Sequence, residues 1–358
     1  MFNRILEWAS NKLASPEQRA LKQAFESQDW QKFLEVSDKL LEKNPKDRDA
    51  LANAALAHVN LMQWEKALEK INVAIQLKGD MGYYHFIRGL AHNGLNNLPE
   101  AIEDCTKAIE LGQTHQGTYL IRTLAWTQQH EYDLALKDID HVIKHCPTFL
   151  TAKVHKAFTL HAMYRDGEAL DLCNEVIGSL SGKDYVFALA IRSYAYSRLG
   201  KLDLAIADME EALSLGDAKG CIYLDLAHLS VMKKDLDKAQ EYIDIAIPAH
   251  KREESLRCVQ QAKVQLLKGD IEKAVQSAHE AVSKCSHDAS IRAIYGLTLV
   301  RAGRNDEASR ELNTAADADP YCMDARWFRA ELYEKMGNEE DAARDKKVAS
   351  DSGYIPYL

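Results

Sequence analysis

Small apolar residues recur along this chain at a nearly constant interval. Alanine stands at positions 67, 101, 135 and 169, each 34 residues after the last, and the series continues at 205, 239, 274, 308 and 342 with spacings of 36, 34, 35, 34 and 34. An interval of this length indicates an array of structural repeats. Each of these anchor alanines lies in a similar phrase, such as Glu-Ala-Ile at 100–102, which we interpret as the start of the second helix of a repeat.

Two further positions of most repeats also carry small residues. One precedes the anchor by 12 residues, as at Gly89 and Gly296, and the other follows it by seven, as at Ala108 and Ala281. Small residues let two helices cross closely, so the pattern predicts tightly packed helix pairs.

Several repeats carry a longer pattern of aromatic, glycine and alanine positions. The unit that begins at Gly82 has Tyr84, Gly89 and Ala101, and prolines end units at 45, 147 and 320. In these residues the chain resembles the tetratricopeptide repeat family, whose period is about 34 residues. The resemblance implies an all-α fold, a right-handed superhelical α-solenoid of antiparallel helix pairs. With a weaker unit over 14–47, where Phe33 replaces the anchor alanine, we expect about ten repeats.

We expect these repeats to form a single solenoid over residues 14–350, since each repeat buries its core against its neighbours. Surplus residues predict local changes of curvature near 178–185 and 248–254. We interpret residues 1–13 as an amphipathic capping helix, and the apolar tail 351–358 as a cap for the last repeat or as a docking segment. Docking of a terminal segment on another copy would give homo-oligomers.

Composition and charge narrow the classes of partner. The net charge is −9, with 45 basic residues interspersed among 54 acidic ones, which argues against nucleic acid as a partner. No apolar run is long enough to cross a bilayer, so we expect membrane association only through a partner. Seven cysteines form no Cys-x-x-Cys pair, which favours a reducing compartment, and we expect a cytoplasmic location.

The sequence offers weak candidates for catalysis or metal binding. His141 and His145 lie four residues apart on a predicted helix, a spacing that can hold zinc, but Val142 stands where zinc proteases have glutamate. We interpret both as surface histidines. The repeats leave little sequence for a catalytic domain. We therefore expect no enzyme activity, no catalytic residues, no metal and no cofactor, and metal found in the purified protein would contradict this.

The resemblance assigns the first helix of each repeat to a concave groove, where family members usually bind extended peptides or partner helices. When the repeats are aligned on their anchor residues, the groove positions of the N-terminal half are apolar, and polar residues border them. Ordinary packing between first helices is the alternative interpretation for any one of them. The candidate contact residues are Tyr83, Phe86, Leu90, Asn93, Leu120, Leu124, Gln128, Val154, Phe158, His161, Phe187, Tyr194 and Arg198.

Further along the chain, the groove positions turn polar, as at Asp225, His228, Lys263 and Asp324 near Trp327. This half is either a second binding surface or a solvated spacer. A clamp for a chain-terminal carboxylate is disfavoured, because the apolar groove offers few cations. The sequence thus predicts an adaptor or scaffold that binds a protein or peptide. The alternative is a regulatory or inhibitory subunit, of the immunity type, that wraps a folded partner.

Overall fold

The computed structural model describes residues 15–77, 81–216, 219–248 and 250–358. Within these ranges it contains 20 α-helices, a short 3₁₀ helix at Ile177–Ser179 and no β-strand. The fold is therefore the predicted all-α solenoid of helix pairs. The capping helix predicted for residues 1–13 lies outside the described residues and stays a prediction.

The chain divides into two compact units: unit 1 ends at His155 and unit 2 begins at Lys156. In unit 1 the helices form consecutive pairs. They are α1 (Pro16–Glu26), α2 (Trp30–Lys43), α3 (Arg48–Asn60), α4 (Trp64–Leu77), α5 (Gly82–Gly94), α6 (Leu98–Glu110), α7 (Gln116–Gln128) and α8 (Tyr132–His145).

Unit 2 continues the same alternation of first and second helices, and the division between the units falls within α9. The remaining helices are α9 (Thr151–Ala162), α10 (Asp166–Val176), α11 (Gly182–Arg198), α12 (Leu202–Ser214), α13 (Lys219–Met232), α14 (Leu236–Ile245), α15 (Lys251–Lys268), α16 (Ile271–Lys284), α17 (Ala289–Arg301), α18 (Asn305–Ala318), α19 (Met323–Lys335) and α20 (Glu339–Asp351).

The anchor residues lie where the sequence predicts, in the first turn of each second helix. Eight of the nine anchor alanines are 0% exposed and Ala342 is 2% exposed, while Phe33 fills the corresponding place in α2 at 1%. The small residue 12 positions earlier faces the partner helix of its pair. At Gly296 an added Cβ would lie 2.5 Å from Cγ of Leu312, which explains why a side chain is excluded there.

The turn inside each helix pair has the same backbone geometry in all ten described pairs. Five residues before each anchor position, the backbone adopts the left-handed conformation that glycine tolerates best. Six of these residues are not glycine, including Tyr164 at φ 61°. The ten turn residues are Gln28, Met62, Asn96, His130, Tyr164, Gly200, Lys234, Gly269, Gly303 and Gly337.

A repeated ion pair joins the two helices of four pairs. Arg88 on α5 donates through Nε and Nη2 to both carboxylate oxygens of Asp104 on α6, at 2.8 Å each, and Nη1 donates to Asn72 on the preceding α4 at 3.2 Å. The carboxylates are buried and bound by two donors of one guanidinium, a geometry that fixes orientation. The same arrangement recurs at Arg122–Asp138, Arg192–Asp208 and Arg329–Asp345, each with a third contact to Thr106, Asn174 or Asn313.

We call this arrangement the arginine staple. It connects a first helix to its own second helix and to the second helix of the preceding pair. Because each aspartate is almost fully buried, removing the staple would leave charges without compensation. The staples occur in both units, so they belong to the architecture of the repeat and not to one particular site.

Candidate functional site

In unit 1, the predicted contact residues on α5 and α7 divide into packed and accessible side chains. Tyr83 and Leu120 are each 7% exposed, and both belong to hydrophobic clusters between helices. Phe86, Leu90 and Leu124 stay partly exposed, and we call these three residues patch 1. The Phe86 ring packs close to Gly117 at the start of α7.

Polar atoms near patch 1 lack the partners that buried groups normally have. The Tyr83 hydroxyl and Oδ1 of Asn93 are buried without a hydrogen-bond partner among the described residues. Buried polar atoms are almost always paired, so these two raise the free energy of this conformation. Gln128, the other polar border residue of this unit, is exposed at the end of α7. Val154 on α9 is 0% exposed and packs in the interior, so it cannot touch a partner in this conformation.

In unit 2, the predicted residues of α9 and α11 meet in two aromatic contacts. The rings of Phe158 and Phe187 lie 6.1 Å apart between centroids, and those of His161 and Tyr194 stack at 5.8 Å. Phe158, Phe187 and Tyr194 are partly exposed, and we call them patch 2. The sequence register therefore brings residues of successive first helices together, as expected for one face of a solenoid.

The predicted border residues His161 and Arg198 bind each other. Nδ1 of His161 lies 2.5 Å from Oδ1 of Asp166, and Arg198 donates to the His161 carbonyl oxygen at 2.6 Å and contacts Nε2 at 3.0 Å. The Arg198 guanidinium also lies 3.9 Å from the centroid of the Tyr164 ring. Burial lowers the pKa of His161, an effect that the hydrogen bond to Asp166 partly offsets. These side chains thus already form hydrogen bonds and ring contacts inside unit 2.

Sequence reasoning missed Asp166, although the signal was present. It stands five residues after His161, across the turn inside the helix pair. The same five-residue separation joins His58 to Gln63 at 2.8 Å and His92 to Asn97 at 3.4 Å. A histidine near the end of a first helix, followed five residues later by a polar side chain, is therefore a turn-bracing pattern of these repeats.

Tyr194 extends this network toward the polar half of unit 2. Its hydroxyl donates to Oδ2 of Asp225 on α13 at 2.9 Å. Burial raises the pKa of Asp225 to about 7, against the lowering effects of this hydrogen bond and of the Arg252 charge. Burial also raises the pKa of Tyr194, with the Asp225 charge contributing in the same direction. Burial and the hydrogen bond from Tyr194 thus act on the pKa of Asp225 in opposite directions, and the effect of burial is the larger.

The tail segment, residues 352–358, lies on the first helices of unit 2. Gly353 has a φ of 79°, and the Tyr354 N–H donates to the Ala349 carbonyl oxygen at 3.1 Å, a pattern typical of helix ends. Because this turn reverses the chain after α20, the residues that follow fold back toward α19. The segment contacts α19 of the last helix pair and also reaches α13 and α15, while its role as a cap stays a prediction.

Two tyrosines of the tail segment share one carboxylate. The hydroxyls of Tyr354 and Tyr357 both donate to Asp324 on α19, the second at 3.5 Å. The Tyr354 ring also lies 6.0 Å from that of Trp327. Burial raises the pKa of both tyrosines and the Asp324 charge raises it further, so the hydroxyls keep their protons and remain donors.

The Tyr357 ring lies against two basic side chains of the polar stretch. His228 on α13 meets it edge-on at 5.2 Å, and Nζ of Lys263 on α15 lies 5.2 Å from the ring centroid. Lys263 is 5% exposed, and burial lowers its pKa to about 8. Leu358 packs against the hydrophobic clusters on either side, while Ile355 is 56% exposed. The polar groove positions thus surround a bound segment instead of facing open solvent.

A loop of the first pair of unit 2 also comes close to this segment. The Tyr164 hydroxyl donates to the Tyr321 carbonyl oxygen at 3.3 Å, although 157 residues separate the two in sequence. Tyr164 holds the left-handed turn conformation that costs a bulky residue strain. This contact was not predictable from the sequence.

The remaining chemical candidates of the sequence form surface contacts. His141 stacks on Tyr119 at 4.7 Å between ring centroids, and its carbonyl oxygen lies 2.8 Å from Nδ1 of His145. Across the described ranges, no group of three or more His, Cys, Asp or Glu residues is placed to hold a metal ion. Among the helices that the structure describes, none combines the length and apolar character needed to cross a bilayer.

Comparison with known families agrees with this geometry. Residues 296–346 and 188–215 match two family models, each described as Tetratricopeptide repeat. Both matches cover a second helix with its anchor alanine, in unit 2. These two stretches of the chain are thus tetratricopeptide repeats. Among curated proteins, this tetratricopeptide repeat chain is 26% identical over 152 residues to the BBSome complex member BBS4 of Bos taurus. The match spans 42% of this chain and 29% of that protein's length.

Solved structures show the same fold at low sequence identity. A Rap protein complexed with Competence and Sporulation Factor superimposes with a TM-score of 0.62 at 12% identity, over 86% of this chain and 97% of that one. A tetratricopeptide repeat protein from Parabacteroides merdae gives 0.47 at 16% identity, over 79% and 97%. The first of these likenesses supports the tetratricopeptide repeat solenoid and nothing more specific.

Proposed function

We propose that this tetratricopeptide repeat chain is a protein-interaction scaffold that binds an apolar segment of a partner protein on the first helices of its pairs. The observation that supports this most directly is the character of patches 1 and 2. In each patch, large apolar side chains stay partly exposed on consecutive first helices, next to polar side chains. Apolar surface with a polar rim is typical of protein-binding surfaces.

Two further features are in keeping with a scaffold. In unit 1, the unpaired Tyr83 hydroxyl and Asn93 oxygen are groups that a bound segment could satisfy with its own donors after a small rearrangement. The Rap protein of similar fold, solved in complex with Competence and Sporulation Factor, is an example of a solenoid of this kind holding a second molecule.

The decisive experiment is affinity capture from the source cell with two patch variants. Leu124→Glu in patch 1 and Phe158→Glu in patch 2 each place a charge where the partner would bury apolar surface. We expect each variant to lose captured partner by at least about tenfold, because burying an unpaired carboxylate costs more than the 1.4 kcal/mol of a tenfold change.

Matched controls place the same charge on second helices, away from the proposed surface. Leu134→Glu in unit 1 and Leu204→Glu in unit 2 change leucines that are 41% and 49% exposed. These controls should capture the partner as the unchanged chain does. Thermal unfolding followed by circular dichroism must show that all four variants keep the helical fold. If both patch variants capture normally, or if the controls weaken capture equally, the patches are not the binding surface.

A further inference from the structure

The tail segment is bound in a way that differs from ordinary core packing. Its two tyrosine hydroxyls converge on the single carboxylate of Asp324, and the Tyr357 ring lies beside Lys263 and His228. Hydrophobic cores rarely contain a lysine, an aspartate and a histidine together, since each must be desolvated. Groups of this kind are instead typical of sites that orient a ligand through a few placed polar contacts.

The side chains of the segment alternate between contact and solvent. Tyr354, Tyr357 and Leu358 face the helices, whereas Ile355 and Pro356 face outward. An extended peptide bound on a protein surface shows the same division, with some side chains in contact and the others free. The contacts come from α13, α15 and α19, so three separate first helices of unit 2 form one recognition surface.

The site also keeps groups unsatisfied that a different occupant could use. Oε1 of Gln260, one turn before Lys263 on α15, is buried and has no hydrogen-bond partner in the described part of the chain. Lys263 contacts Nδ1 of His228 at 3.3 Å and the face of the Tyr357 ring. The helix that carries Lys263 therefore keeps one buried acceptor unpaired three residues before the contact with Tyr357.

We propose that the first-helix surface around Asp324, Lys263 and His228 is a peptide-recognition site, that residues 354–358 occupy it in cis, and that its ligand in trans is an extended segment of the same chemistry. That chemistry is two tyrosines three residues apart, followed directly by a large aliphatic residue, with no acidic side chain between them. A carboxylate accepts from both hydroxyls, an ammonium group favours the face of an aromatic ring, and apolar clusters receive the aliphatic side chain. This site is separate from patches 1 and 2 and does not depend on their function.

The test uses a fluorescent synthetic peptide of residues 352–358 and two forms of the protein, the whole chain and the chain without residues 353–358. Fluorescence anisotropy should show that the shortened chain binds the peptide at least about tenfold more tightly than the whole chain, because the resident segment no longer competes. Asp324→Ala in the shortened chain should weaken peptide binding by a similar factor.

The peptide itself supplies the matched controls. A peptide with the change Tyr357→Ala should lose binding, since it removes the ring and one hydroxyl. A peptide with Ile355→Ser should bind as the original does, because that side chain faces solvent. Equal binding of the original and the Tyr357→Ala peptides would overturn the proposal, and so would failure of a correctly folded shortened chain to bind either one.

A second variant protects the test against misfolding of the shortened chain. The full-length double variant Tyr357→Ala, Leu358→Ala keeps the turn at Gly353 but loses the contacts of the segment, and it should bind the peptide as the shortened chain does. Light scattering should find the whole chain monomeric. A dimer that disappears when residues 353–358 are removed would overturn the assignment in cis and give the site to a second copy.

Discussion

The first helices of the two units carry different kinds of side chain at equivalent positions of the repeat. In unit 1, the face of α5 and α7 is apolar, and its polar atoms, the Tyr83 hydroxyl and Asn93 Oδ1, are buried without partners among the described residues. In unit 2, patch 2 on α9 and α11 is apolar as well, but the later first helices carry buried acidic groups that have partners. Asp225 on α13 accepts from Tyr194, and Asp324 on α19 accepts from the tail segment. Helix pairing is the same in both, and both contain arginine staples.

This comparison distinguishes the residues that pack the repeats together from the first-helix residues that we propose contact partners. The anchor alanines, the small residues opposite them and the staples lie between helices, so they are constrained by packing in every repeat. The first-helix positions that face outward are free of that constraint. A solenoid can therefore vary its recognition surface from one unit to the next without changing its fold.

The largest expected effect concerns the arginine staples, which both units contain. Asp138→Ala in unit 1 and Asp208→Ala in unit 2 each remove the buried acceptor of a staple and leave Arg122 or Arg192 without its partner. We expect each change to lower the free energy of unfolding by about 3 kcal/mol, since the remaining charge is partly buried. Urea unfolding followed by circular dichroism measures the loss.

The control for the staples is Glu168→Ala, which removes an exposed ion pair with Arg165 and should leave stability almost unchanged. A much larger loss for one aspartate than for the other would show that the staples are not equivalent in the two units. A loss no greater than that of the control would contradict their structural role.

A smaller effect, which depends on pH, should be confined to unit 2. The pKa of Asp225 is raised to about 7, whereas the unfolded carboxyl titrates near its ordinary value of 3.8. Between these two values the folded state holds a proton that the unfolded state has lost, so stability falls as the pH rises. Asp225→Asn cannot titrate and should gain on the unchanged chain over this range, by on the order of 1 kcal/mol for each pH unit.

Unfolding in urea at several pH values from about 4 to about 8 measures the difference between Asp225→Asn and the unchanged chain. The expected result is a difference that grows with pH in favour of the variant and levels off above about pH 7. Parallel stability curves would mean that Asp225 is ionised in the folded protein throughout this range.

Removing one hydroxyl from each face should give changes of opposite sign. Tyr194→Phe deletes the donor to Asp225 and should cost about 1 kcal/mol, since a buried acceptor loses its partner. Tyr83→Phe deletes a hydroxyl that is buried without a partner among the described residues, and should stabilise unit 1 by up to about 1 kcal/mol. Thermal and urea unfolding of the two variants decide the sign, and a loss at both positions would show that the Tyr83 hydroxyl is paired in solution.

The smallest expected effect concerns the turns inside the helix pairs. In unit 1, Met62 holds the left-handed conformation at φ 56°, whereas Gly303 holds the equivalent position in unit 2 at 75°. Met62→Gly should stabilise the protein by about 0.5 kcal/mol, the relief of strain less the entropy that glycine adds to the unfolded chain. Gly303→Ala should cost about 1 kcal/mol in the same urea measurement. Equal and unfavourable changes at both turns would contradict the idea of strain at Met62.

Much of the fold was predictable from the sequence, because packing between neighbouring repeats is local and periodic. The interval between anchor alanines placed each second helix, and the small residues 12 positions earlier marked the contact that Gly296 makes with Leu312. The staples could also have been found, since Arg88 and Asp104, Arg122 and Asp138, Arg192 and Asp208, and Arg329 and Asp345 all stand 16 residues apart.

The candidate binding residues were harder to predict from the sequence. Register alone assigned Val154 and Leu120 to the exposed face, but their burial depends on how neighbouring side chains fill the space around them. The contacts of Tyr357 with His228 and Lys263 join residues about a third of the chain apart, and the contact of Tyr164 with Tyr321 joins residues 157 apart. A repeating sequence pattern carries no information about contacts between residues so far apart. The two patches stay predictions, as does the count of a single solenoid domain.

Each arginine staple also gives the array a direction. Arg88 reaches forward to Asp104 in its own pair and backward to Asn72 in the pair before it. A chain shortened after α6 would keep all three groups of this staple, whereas one that started at α5 would lose the asparagine and leave Nη1 of the arginine facing water. The two ends of such an array are therefore not interchangeable: a cut between two helix pairs leaves an asparagine without its donor on the N-terminal piece and an arginine without its backward acceptor on the C-terminal piece.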